Sequence, residues 1–199
     1  AGAGAAVESG SHTALIWLGL AASVLFFVNV FGFWGFIERI GQAGGLPAET
    51  IGAALGVAQL AAIGGALAAV AASNRYGRYW PLLIVFVGQV LALYAVAGRF
   101  GALAYFVSTG LFQALFIVGV SYQMGAIAEL DTRGRFLVMM TAAQGLGAAI
   151  GPAVAAPLIG ASAGYGGILW LSAALCLSST LAFLFIVHRS LRLEGSSNV

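Results

Sequence analysis

Apolar positions run along this chain in six long stretches, separated by short polar turns. The first covers 14–37 and is closed by Glu38 and Arg39. The second begins after the Gly44-Gly45 pair and reaches residue 72. Pro47 is suited to open it as a helix, and Glu49 sits favourably at the positive end of the helix dipole. The third covers 81–97, opened by Pro81 and ended by Arg99; the fourth covers 102–127. The fifth covers 136–159, and a glycine-rich joint at 160–167 leads to the sixth at 168–187. Each is close to the roughly 20 apolar residues that cross about 30 Å of hydrocarbon as a helix. The stretches are too long for strands and lack a barrel's alternation, and in lipid a helix satisfies every backbone amide internally. The pattern predicts an all-α integral membrane bundle of six transmembrane helices.

Composition removes the soluble alternative. The chain is 61% hydrophobic and 7% charged, whereas charged residues make up about a quarter of an ordinary globular domain. Its bilayer partner is therefore certain from composition alone. Residues 1–12 have neither the cationic start nor the apolar core of a signal peptide and read as a polar linker or cut end. The six-helix domain is expected over 13–190 and a cytoplasmic tail over 191–199. Cys176 is the one cysteine, which excludes a disulfide within the chain.

Charge sets the orientation. All eight cations are arginines, and six of them (Arg75, Arg78, Arg133, Arg135, Arg189, Arg192) fall on the side of the chain ends, against Arg39 and Arg99 on the other. The positive-inside bias then puts both termini in the cytoplasm of a plasma membrane, the inner membrane of a bacterium. Arg75 and Arg78 have two readings: headgroup anchors, or partners of Glu129 and Asp131 in a latch.

The polar groups inside the spans are few. Asn29 is a lone amide in the first run, readable as a helix-to-helix hydrogen bond or as a site residue, with Phe26, Phe33 and Phe36 on its face at helical spacing. Gly32 and Gly35 lower helix stability there and predict a bend that could act as an outer gate. Thr109, Gln113 and Phe116 share one face of the fourth run. Small residues form stripes on the second run (Gly52, Gly56, with Gln59) and on the fifth (Gly147, Gly151, then Pro152), which permit close helix approach in matching places of two three-helix triplets. No span carries a central Asp, Glu, Lys or Arg, and no His-Glu-x-x-His, phosphate loop or nucleophile elbow is present. No catalytic residue, metal or cofactor is expected, the chain is not read as an enzyme, and it offers no basic surface to nucleic acid.

The turn Asn74-Arg75-Tyr76-Gly77-Arg78 resembles the D-R-x-G-R loop that major facilitator superfamily transporters carry between the second and third helices of each six-helix half. The fifth run, with Gly147, Gly151-Pro152 and Ala155-Ala156, is similar to the G-x-x-x-G-P-x-x-G-G run of that family. Asn74 stands where the family has Asp, Val70 where it has Gly, and Tyr79 where a basic residue is usual; a loop altered in this way is more typical of the second half. The resemblance implies a C-terminal six-helix half, built as a 3+3 inverted repeat, working with an N-terminal half. It further implies that the first and fourth helices line a substrate cavity, which makes Asn29, Phe33, Phe36, Thr109, Gln113 and Phe116 its candidate walls. An amphipathic small organic solute suits such a mixture of amide, hydroxyl and ring. Transport by alternating access is the implied function. The alternative is a self-contained six-helix structural or regulatory membrane protein, in which the same small residues only pack helices.

Overall fold

The computed structural model describes residues 2–72, 75–131, 134–161 and 164–197. Seven helices are present among them: α1 (Gly2–Trp34), α2 (Ile37–Ala43), α3 (Ala48–Ala72), α4 (Tyr79–Ala95), α5 (Ala102–Leu130), α6 (Arg135–Ala161) and α7 (Gly166–Ser197). They make six spans, because α1 and α2 together form the first. Five spans are long and apolar enough to cross a membrane by length and composition, while α4, at 17 residues, is shorter.

The first span breaks where glycine predicts it. Gly35 N–H still reaches Phe31 O at 3.0 Å, but Phe36 N–H turns to Phe33 O at 3.1 Å and a new helix starts at Ile37. A Cβ on Gly35 would lie 2.9 Å from Phe31 O and 3.5 Å from the Pro152 ring of α6, so the break sits where α6 presses its proline against α1. The Tyr105 hydroxyl donates to Ile37 O at 3.0 Å, satisfying a carbonyl beside the break. The predicted bend is thus a discontinuity, pinned from α5.

Packing follows a strict pairing. The most extensive interfaces are α1 with α6 and α3 with α5; next come α1 with α7 and α4 with α5; α4 also meets α7, and α1 meets α5. Exchanging α1 with α5, α3 with α6 and α4 with α7 maps this set onto itself. Spans one and four run in opposite directions through the membrane, so the exchange is an inverted three-plus-three repeat. The result is a front layer in the order α3, α5, α1, α6, backed by α4 and α7. Phe26, Phe33, Phe112, Tyr105 and Ile168 form the core of one half of the bundle, and Ile127, Met140, Phe183 and Ile186 that of the other.

Candidate functional site

Asn29 on α1 is fully buried, and its Nδ2 donates to Gln89 Oε1 of α4 at 3.1 Å. The Cys176 thiol of α7 donates to the same oxygen at 3.2 Å. Three helices therefore meet at one amide oxygen, and Asn29 ties the front layer to the back one. Asn29 Oδ1 and Gln89 Nε2 have no partner. One acceptor and one donor remain from an amide pair able to form a second bond. Two hydroxyls extend the seam: Ser172 Oγ donates to Asn29 O at 3.4 Å and Ser179 Oγ to Ala22 O at 2.8 Å. A hydrogen bond of this kind in a membrane bundle contributes about 0.6 kcal/mol, so the group is a modest clamp on helix positions.

The other candidates separate into sealed and open ones. Phe33 is fully buried, its ring 4.6 Å from that of Phe112, and Phe36 is buried with Arg39 over its face at 5.8 Å. Thr109 is fully buried and donates back to Tyr105 O at 2.9 Å, a bond within its own helix. Phe116 is half-buried and meets Phe27 edge-on at 5.5 Å, with Phe26 and Phe31 beside it, where α5 approaches α1. Gln113 is half-buried on the same helix. Gln59 on α3 is exposed, and Gln144 on α6 is half-buried with its Nε2 enclosed and unpartnered. Gln59, Gln113 and Gln144 each fall in the middle third of their helices, and those helices all belong to the front layer. The sequence pattern places Gln59 with a helix seam and does not mark Gln144, for which a polar residue at mid-span is the available signal.

A cavity of about 550 Å³ opens between α2, α4 and α7, lined by Ile40, Leu93, Tyr94, Tyr165 and Trp170 among others. Asn29, Phe33, Phe36, Thr109, Gln113 and Phe116 take no part in its lining.

The two small-residue stripes face different ways. A Cβ on Gly147 would lie 2.5 Å from Val24 O and 2.6 Å from Phe27 Cβ, and one on Gly151 would lie 2.7 Å from Gly32 N. That stripe is the contact of α6 with α1 inside the bundle, and Pro152 lies next to it at Gly35. Gly52 and Gly56 have nothing within 4 Å of where a Cβ would stand, and both are exposed with Gln59. The packed side of α3 instead carries Ile51, Ala54, Ala58, Gly65 and Ala69, and Gly65 lies on the Ala114 backbone of α5.

At the end of the bundle bearing the basic turn, Arg78 Nη2 pairs with Glu129 Oε1. The guanidinium lies on α5 because Gly125 leaves room: a Cβ there would be 2.6 Å from Arg78 Nη1. Glu129 is nearly half exposed, at 46% of its side chain, so solvent holds the pair to under about 1 kcal/mol. Asp131 caps α6, its Oδ2 accepting from Phe136 N–H at 2.7 Å and Leu137 N–H at 2.9 Å. Arg75 is exposed, and Gly77 turns the chain with φ at 62°. Asn74 and Arg133 lie outside the described residues.

Compared with known proteins, residues 19–198 match the family model described as Major Facilitator Superfamily. No curated protein and no solved structure matches the chain.

Proposed function

The chain belongs to the Major Facilitator Superfamily, and on that premise we propose that it moves a small organic solute across the membrane by alternating access, as the C-terminal half of a secondary transporter. The family's members are membrane transporters and not enzymes. In our reading an N-terminal six-helix half meets the front layer, and the solute site lies between the two halves. Both termini are proposed to be cytoplasmic, in a bacterial inner membrane, from the arginine distribution. The observation that carries the reading is the placement of Gln59, Gln113 and Gln144. Three amides at mid-span on one layer would each be costly against acyl chains, so that layer is suited to a partner and a wet cavity rather than to lipid.

This moves the proposed site. Gln113 and Phe116 stay as walls, joined by Gln59 and Gln144, while Asn29, Phe33 and Thr109 act beneath the surface as packing. The exposed Gly52 and Gly56 become the seam of α3 with the other half, and Gly147 and Gly151 hold α6 to α1 within this one. The Arg78–Glu129 pair fastens the ends of α4 and α5 in the conformation described.

The test is equilibrium binding and uptake of radiolabelled amphipathic solutes in proteoliposomes holding both halves. Alanine at Gln59, Gln113 or Gln144 is expected to weaken solute affinity while leaving thermal unfolding unchanged. Unaltered affinity in all three variants would refute the site.

A further inference from the structure

Between α3 and α4, at the end of the bundle that carries Arg75 and Arg78, the two helices lean on α5 and hardly touch each other. The gap is a groove of about 600 Å³ walled by Ala68 and Ala72 of α3 and by Trp80 and Ile84 of α4, floored by Leu115 and Val118 of α5. Its origin is legible in the residues: the last turns of α3 present Ala68, Ala69 and Ala72 to the gap, too short to reach across, and α4 opens with Pro81 beneath a large exposed indole. The walls are almost wholly apolar. An apolar gap of this size does not hold ordered water, which needs two to four polar partners, and Ala68, Trp80 and Ile84 are open to the surroundings.

The mouth has the opposite chemistry. Tyr76 lines it and is two-thirds exposed, Tyr79 stands edge-on to Trp80 at 5.9 Å, and the exposed Arg75 precedes them. Aromatic side chains with one wet and one apolar end sit at headgroup depth, and arginine there attracts phosphate. Arg78 is half-buried and paired through Nη2 with Glu129, whereas Arg75, next to Tyr76 in the chain, is exposed.

We propose that this groove is a binding site for one anionic phospholipid, an acyl chain lying between α3 and α4 and the phosphate held at Arg75. The lipid completes the contact that α3 and α4 lack, so it acts as a structural part of the bundle. The site is separate from the solute site of the front layer.

Native mass spectrometry of the protein released from nanodiscs tests this, with phosphatidylglycerol competing against phosphatidylcholine in both leaflets. The wild type is expected to retain phosphatidylglycerol preferentially. Ala68→Phe, which fills the groove from an exposed position, is expected to abolish the retention, and Arg75→Gln to weaken it by about fivefold, the effect of one cation near an anionic surface. Ala72→Leu repeats the groove-filling test should Ala68→Phe fail to fold. Equal retention of the two lipids by the wild type overturns the proposal. So does loss in Arg75→Gln with full retention in both groove-filling variants, which marks charge adsorption to the turn without a seated chain.

Discussion

Alanine at Gly147 tests the packing on which the bundle rests. The new methyl would stand 2.5 Å from Val24 O and 2.6 Å from Phe27 Cβ, against an ordinary separation of about 3.5 Å. Neither neighbour is the loose end of a side chain, so α1 and α6 must part locally by about 1 Å. Gly151, one turn further along, already lies 2.7 Å from Gly32 N by the same measure, so the helices cannot pivot apart without loosening that contact as well. Overpacking of this kind costs about 1–3 kcal/mol, and the rigid neighbours place it at the upper end. The gain of alanine over glycine in a helix returns about 1 kcal/mol, leaving a net loss of about 2 kcal/mol. Gly64→Ala is the control: its methyl meets nothing within 4 Å, so only the helix gain of about 1 kcal/mol operates. Reversible unfolding in mixed micelles titrated with SDS reads both. The two variants should move in opposite directions; if they shift stability alike, the α1–α6 contact is not the close one described and the reasoning fails.

Removing the oxygen that caps α6, as in Asp131→Ala, is expected to cost about 1 kcal/mol in the same unfolding assay, with Asp131→Asn losing less. Charge reversal at Arg78 to Glu should release the fastened helix ends, read as increased solvent labelling of a cysteine placed at residue 128. The double variant Arg78→Glu, Glu129→Arg should restore the wild-type rate; failure of the swap to restore it argues against the pair as a fastener. Asn29→Leu alone leaves the buried Gln89 amide with only the weak Cys176 thiol as a donor and should destabilise more than Asn29→Leu combined with Gln89→Leu, because an under-satisfied polar group is costlier than a matched apolar pair. Additive losses in that cycle would show that the amides do not interact.

Much of the architecture could be read directly from the residues. Gly44-Gly45, Pro47, Pro81 and the two charged turns punctuate the chain, and each of the six predicted spans is helical; the inner limits agree within about three residues, while the first helix starts at Gly2 and the last runs on to Ser197, well outside the apolar stretches at 14–37 and 168–187. The break near Gly35 was visible for the same reason, since glycine acts locally. Facing was not visible. In water an apolar stripe points inward, but in lipid the outside of a helix is as apolar as the inside, so Gly52-x-x-x-Gly56 and Gly147-x-x-x-Gly151 look alike although one is open and the other is pressed on α1. Asn29 was singled out because a lone amide is conspicuous, yet its partner Gln89 lies 60 residues away on a helix that carries no other signal. Glu129 and Asp131, two positions apart, divide between a neighbouring helix's arginine and the next helix's N-terminus. Charge alone cannot distinguish those two tasks.

Ser172 and Ser179 stand seven residues apart on α7, and the carbonyls they reach, those of Asn29 and Ala22, stand seven apart on the antiparallel α1. Seven residues are close to two full turns of a helix, so both hydroxyls point the same way and share one register. An axial slip by a single residue, about 1.5 Å, would break the two bonds together rather than one after the other. Helices α1 and α7 therefore travel as one strut. Any rearrangement of the bundle must take them as a unit and place its sliding surfaces elsewhere.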